Sequence, residues 1–476
     1  MILYQELIAI AFYAAILVGI ALISFKGHQS SSDFILGNRS LNFWLTALAA
    51  HASDMSSWLF LAFPAVIFTK GLISAWLAVG LCLFMFLNWF FIAPRVRLQT
   101  EEYNSYTFSS FFESRFADTS GIIRIFTGLM LCIFYTIYIS AGIVSLGLLI
   151  EALFGINYSI GITIGLLLVV PYLFFGGYIT LAWLDLFQGL FLLLVVVIVP
   201  VTVLGHLGNF GEIKSSFDLK GLSFSMIPSF NKTTLAEIFL LTCSWGLGYF
   251  GQPHIITKFM GIKKVKEMRK SMAVGMTWQV IVLSAATGIG VVAVPFFKEG
   301  INNPELIFPT IVKTLFSPFL AAFILCAVLA ATISTMDSQI LVLASSLTED
   351  FYKRIFRKTA SSKELLWISR FFILLAALTS YFIALFKVST IYSLVLFAWS
   401  GLGAAFGPLL IFALFFKKTN KYGAWAGILI GGMTTILWPY LSDLSSSIPR
   451  LIPGFIFSSV AIYFVSSITA KKESLL

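Results

Sequence analysis

Thirteen apolar stretches dominate this chain, most of them about twenty residues long, with little between them. They run approximately over 5–24, 41–68, 71–95, 121–153, 158–176, 181–204, 234–252, 270–296, 305–347, 366–387, 391–416, 421–441 and 449–468. About twenty residues of α-helix rise about 30 Å, the thickness of a bilayer's hydrocarbon core. In that solvent backbone polar groups must bond within the protein, and runs of this length do so as helices. Composition agrees, because 59% of the 476 residues are hydrophobic and 11% charged, against roughly a quarter charged in a soluble domain. The 49 phenylalanines suit lipid-facing helices better than an aqueous core. These features predict an all-α polytopic membrane protein. Glu6 and the absence of a basic cluster ahead of the first stretch mark it as a spanning helix rather than a cleaved leader. Cys82, Cys132, Cys243 and Cys326 lie in apolar runs without a CxxC or Cys/His cluster, so they read as small buried hydrophobes.

Thirteen crossings put the termini on opposite sides, and Lys and Arg decide which is which. With the N-terminus outside, the inner loops and tail hold Lys26 and Arg39, Arg95 to Arg124, Lys258 to Lys270, Lys353 to Arg370, Lys417 to Lys421, and Lys471 and Lys472. That is 23 of the 31 basic residues, so the N-terminus is expected outside and the C-terminus in the cytoplasm. The net charge of +10 is then a topology signal rather than a nucleic-acid footprint. The run from Lys258 to Lys270 reads as a topogenic loop, with contact to anionic lipid heads as the alternative.

An ionisable or strongly polar group inside a spanning helix is costly, so its position points to function. The second stretch carries the island His51-Ala52-Ser53-Asp54-Met55-Ser56-Ser57-Trp58, the sixth Asp185, and the ninth Ser334-Thr335-Met336-Asp337-Ser338. The seventh holds Trp245-Gly246-Leu247-Gly248-Tyr249-Phe250-Gly251-Gln252-Pro253, whose three glycines and proline should unwind a helix. Unwound backbone at membrane depth lines a cavity or is buried in protein, where its carbonyls can meet a cation and helix ends a zwitterion. Stretches two to six and seven to eleven form two five-helix units. Five being odd, the second must be inverted relative to the first. Each unit has its interruption in its first helix, the pattern expected around a transporter's binding site.

The stretch from Ala52 to Ser56, the run Trp245 to Pro253 with His254, Ser334-Thr335 with Ser338-Gln339, and Leu347 to Asp350 resemble the sodium:solute symporter family. So does Gly176-Gly177 followed by Trp183, Asp185 and Gln188, and within the family the match is nearest to its bacterial proline-transporting members. The resemblance implies a LeuT-like 5+5 inverted-repeat core. One transporter unit would then span 1–476, with an extra helix at 5–24, repeats at 41–204 and 234–416, and two more helices at 421–468. It implies a sodium site on the carbonyls of Ala52, Met55 and Ala331 and the hydroxyls of Ser334 and Thr335. Spacing i, i+3, i+4 puts the last three on one helix face, and neutral oxygens suit Na⁺. The solute is expected near Ser56, Ser57, Tyr138, Trp245, Tyr249 and Pro253, where rings cover the apolar face of a small amino acid.

Several residues keep two readings. Ser334 and Thr335 are either ligands or hydroxyls bonded back to their own helix. Asp54 is a cation or coupling group, or a cap on its broken helix. Asp185, Asp337 and Ser338 form a second cation or proton site, or Asp337 faces water or a lysine in an inner vestibule. Tyr138, Trp245 and Tyr249 are pocket walls or interfacial anchors, and His51 is a packing residue or a coupling one. Ser57 stands where the family's proline carriers have glycine, His51 where a small residue is expected, and Met336-Asp337 where a neutral pair is expected. Those three departures bear on the solute.

The expected function is Na⁺-coupled symport of a small amino acid, proline first, by alternating access, from a monomer with no organic cofactor. Pantothenate, a sugar or another carboxylate, and coupling to H⁺, are the alternatives within transport. No membrane segment pairs a nucleophile with a base and no nucleotide loop appears, so an enzyme is not expected. A channel would want a ring of pore-lining charge, and a sensor a soluble output domain.

Overall fold

The computed structural model describes residues 2–24, 31–175, 177–207, 210–441, 445 and 447–473. Gly176 and Lys26, both used above, lie outside these. The described chain is helical at every expected stretch. In order the helices are α1 (Ile2–Ser24), α2 (Phe43–Met55), α3 (Ala62–Lys70), α4 (Leu72–Glu102), α5 (Ile122–Phe154) and α6 (Tyr158–Phe175). Then come α7 (Tyr178–Leu207), α8 (Lys232–Gly246), α9 (Pro253–Met260), α10 (Met268–Phe296) and α11 (Pro318–Ser346). The last four are α12 (Ser362–Leu385), α13 (Ile391–Phe415), α14 (Lys421–Leu441) and α15 (Leu451–Glu473). Among the described residues ten helices are long and apolar enough to cross a bilayer, or 11 when α2 and α3, bent by 66°, count as one. α6 and the broken pair α8–α9 occupy the two remaining stretches.

Two boundaries differ from the sequence reading. The stretch 305–347 is too long for one crossing, and it divides into a short helix, Ile307–Leu315, and α11. Pro318 at the first turn of α11, after Ser317 in extended backbone, starts the new helix. The seventh stretch does not end at 252 but resumes as α9. Lys258 therefore lies inside a buried helix and not in the basic loop to which it was assigned.

Burial separates core from periphery. α1 is largely exposed, as a lipid-facing helix is, whereas α11 and α13 are buried along most of their length. α11 packs against α1, α2, α5 and α7, and α2 also packs against α7, α9 and α10. Small residues make that approach possible, since Ala327, Ala330 and Ala331 of α11 are all buried. α13 lies against the break between α8 and α9, and α14 and α15 pack on α13.

On the face carrying the basic loops, one buried carboxylate joins distant segments. Asp350, just past α11, accepts from Ser109, from Ser346 at 2.7 Å, from Thr107 at 3.1 Å and from Arg124 at 2.8 Å. Arg124 also pairs with Glu113 at 2.5 Å. Four donors to one buried acid is the satisfied arrangement such a charge requires.

Candidate functional site

The first interruption falls at Ser56, which follows α2 with φ 47° and ψ −172°. A non-glycine residue there is strained, and its surroundings must hold it. Two bonds do so. The Ser56 hydroxyl accepts from the Trp58 N–H at 3.2 Å, and the Ser56 N–H donates to the Thr335 hydroxyl of α11 at 3.0 Å. Thr335 in turn donates to the Ala331 carbonyl at 3.1 Å. The break in the second stretch is thus bonded to the helix face expected to bind sodium.

The second interruption is built differently. A tight turn over Leu247–Gly251 leads to extended backbone at Gln252, and Pro253 opens α9. A Cβ on Gly248 would collide with the indole of Trp399 on α13, so glycine there permits the close packing. The carbonyls released by the break are taken by side chains. Trp399 donates to Trp245 O at 2.8 Å, Gln252 to Gly248 O at 3.3 Å, and Asn88 to Tyr249 O at 3.0 Å. Each of these carbonyls thus has one protein donor.

Between the two breaks lies a narrow cleft lined by Asp54, Met55, Trp58, Leu81, Tyr138, Trp245, Tyr249, Val395 and Trp399. Aromatic rings dominate its wall. Trp58 and Trp245 have centroids 4.9 Å apart, and Tyr249 meets Trp399 edge-on at 5.2 Å. The Tyr249 hydroxyl donates to Asp54 at 2.5 Å and accepts from Gln279 at 3.0 Å, tying one break to the other. The Trp58 indole N–H is buried without a partner, a donor held at the wall of a polar-ended cavity.

Of the expected solute residues, the cavity gathers Tyr138, Trp245 and Tyr249, all buried rather than placed as interfacial anchors. Ser56, Ser57 and Pro253 do not line it. Ser57 instead shares a hydrogen bond of 2.5 Å with Ser145, a position where the expected glycine would offer nothing. Asp54 binds Tyr249 and does not cap its own helix. His51 accepts from the Trp89 indole at 3.1 Å and packs on Trp278, away from the cavity.

The expected sodium ligands Ala52, Met55, Ala331, Ser334 and Thr335 are all buried where α2 meets α11. Ser334 donates to Asp185 at 2.5 Å, and Asp185 pairs with Lys258 at 2.9 Å. Asp337 is buried, and Lys258 pairs with Asp185. Among the described residues no group of three or more His, Cys, Asp or Glu side chains comes together. Ser338 instead lines a second narrow cavity on the face with the basic loops, together with Lys258, Tyr178, Thr107, Ser109 and Ser346. Trp58, Trp399, Asn88 and Gln279 were not singled out from sequence. Only Trp58, at the end of the polar island, carried a local signal.

Interrupted helices that meet around a buried aromatic cavity define a secondary transporter of the LeuT-like fold. The chain belongs to the sodium:solute symporter family, whose model matches residues 34–431. It is 39% identical over 455 residues to the high-affinity proline transporter PutP of Bacillus subtilis, covering 94% of this chain and 95% of that one. It is 36% identical over 471 residues to the sodium/proline symporter of Escherichia coli, covering 97% and 92%. Among solved structures it is similar to a Na⁺-coupled sialic acid symporter in a substrate-bound outward-open state, with a TM-score of 0.83, 98% of each chain covered and 18% identity. It is also similar to Mhp1, a nucleobase-cation-symport-1 family transporter, with a TM-score of 0.58 at 15% identity, covering 93% of this chain and 96% of that one.

Proposed function

We propose that this chain carries proline, or a small amino acid of similar shape, together with Na⁺ by alternating access. It would work as a monomer in the cell's plasma (inner) membrane, with the N-terminus outside and the C-terminus cytoplasmic. Residues 41–204 and 234–416 act as the two inverted repeats, which rock against each other around a fixed central site. The observation that carries the reading is the Ser56 N–H bonded to Thr335 at 3.0 Å, beside the aromatic cavity.

Sodium is held by the carbonyls of Ala52, Met55 and Ala331 and the hydroxyls of Ser334 and Thr335. Five neutral oxygens shared between α2 and α11 suit a hard monovalent ion. Thr335 touches the Ser56 break directly, so an ion on Thr335 sets the position of the chain that walls the solute cavity. That shared element makes each ligand raise the other's affinity. Within the cavity, Trp58, Tyr138, Trp245, Tyr249 and Trp399 cover the pyrrolidine ring. The Asp54 carboxylate faces the solute's ammonium, and the Trp58 indole N–H meets its carboxylate. Ser56 acts through its backbone, and Ser57 and Pro253 shape the breaks without touching solute. Asp185 is matched by Lys258, so the coupling ion is Na⁺ rather than a proton on that acid.

Radiolabelled proline uptake into proteoliposomes tests the reading. Uptake should accelerate under an inward Na⁺ gradient and be competed by proline analogues but not by pantothenate or sugars. Uptake indifferent to Na⁺ would sink the coupling, and absence of proline uptake would move the solute elsewhere.

A further inference from the structure

Asp185 and Lys258 form an ion pair at 2.9 Å with each side chain only 2% exposed. A buried pair costs desolvation that its attraction barely repays. The pair is not isolated from the ion chemistry. Asp185 also accepts the Ser334 hydroxyl proton at 2.5 Å, and Ser334 is one of the five proposed sodium ligands. One helical turn further along α11, Ser338 is 2% exposed with a hydroxyl that has no partner. Ser338 and Lys258 line the same cavity on the basic-loop side. A carboxylate and two hydroxyls at i and i+4 on one helix face make a hard oxygen set. In this chain the positive charge among them is an ammonium on a flexible stem.

We propose that Lys258 is a tethered cation. It supplies from within the chain the charge that Asp185 would otherwise take from solution, and so sets the number of sodium ions carried at one. The inference rests on the sodium site proposed above. Asp185 holds the proton of Ser334 and leaves that oxygen's lone pairs directed at the ion, as a group behind a ligand does. Lys258 balances the acid, so Asp185 tunes Ser334 without recruiting an ion of its own. Replacing the lysine with a neutral side chain of similar length leaves Asp185, Ser334 and Ser338 with a net negative charge and an open position. A second Na⁺ then fills it.

The test is equilibrium ²²Na⁺ binding to purified protein in detergent, without solute, for wild type, K258M, K258R, D185N and the double variant D185N/K258M. One ion per chain is expected for wild type, K258R and the double variant, and two for K258M. One ion with unchanged affinity in K258M overturns the proposal and makes the pair purely structural. Should K258M not purify as a folded protein, D185N decides. It leaves an unbalanced ammonium beside Ser334 and should weaken the remaining sodium about tenfold, with the double variant returning it to within about threefold of wild type. Wild-type sodium affinity in D185N overturns the proposal equally. S334A, measured alongside, keeps the two readings apart. Undiminished binding there removes the sodium site itself, whereas lost binding in S334A with an unaltered K258M removes only the tethered cation.

Discussion

The two helix breaks face each other across one cavity, yet they are held by opposite means. At Ser56 a non-glycine residue sits at φ 47°, held by its hydroxyl's bond to the Trp58 N–H and by one bond to another helix, Ser56 N–H to Thr335. At 245–253, glycines relax the backbone, and Trp399 and Asn88 from distant helices, with Gln252 of the break itself, donate to the carbonyls of Trp245, Tyr249 and Gly248. The first break depends on a hydroxyl that also belongs to the ion site. The second is stabilised by bonds that no ligand needs to make. One break is therefore suited to respond to sodium, and the other to remain a fixed wall for the solute.

The largest effect should come from cutting the single tie. T335A removes an ion ligand and the acceptor for Ser56 together, and should raise the Na⁺ concentration for half-maximal uptake about thirtyfold, with membrane insertion unchanged. An unaltered Na⁺ curve would show that the tie does not report the ion. W245A comes next, since it removes the cavity's central ring. Proline affinity at saturating Na⁺ should fall about twentyfold while the Na⁺ requirement, read in the same uptake assay, changes little. Q252L strips donors from Gly248 O and Trp399 O and should lower unfolding free energy by about 2 kcal/mol in a thermal or denaturant melt. If it also shifted Na⁺ affinity strongly, the second break would be ion-sensitive and the contrast would fail. The smallest effect separates strain from capping at Ser56. S56A loses the bond to Trp58 and keeps the strain, costing about 1 kcal/mol, and S56G recovers part of that through its freer backbone. Equal stability of the two variants would mean that the positive φ carries no strain.

Much of this was legible in the sequence because bilayer physics leaves few choices. Apolar length located the helices, and the scarcity of polar groups singled out the island at 51–58, the glycine-proline run and the hydroxyls of α11. What escaped was whatever depends on partners far along the chain. Trp399 and Asn88 act on a break 154 and 161 residues away, and nothing in their own neighbourhoods marks them. Lys258 was read with the loop lysines because a basic residue near a helix end usually signals topology. Only the placement of α9 beside α7 shows its ammonium turned inward to Asp185. The 305–347 stretch misled for the opposite reason, since its apolar character continues through a turn that Ser317 and Pro318 enforce.

The Asp350 cluster carries a consequence for biosynthesis. Three of its four donors, Thr107, Ser109 and Arg124, are synthesised more than 200 residues before the acid that receives them. As the chain leaves the ribosome, the early helices can insert and pair and Arg124 can meet Glu113, but the carboxylate that joins all these donors is made only after the ninth stretch. Closure of this seam is a late step of assembly, and a chain interrupted before Asp350 would leave it open for quality control to find.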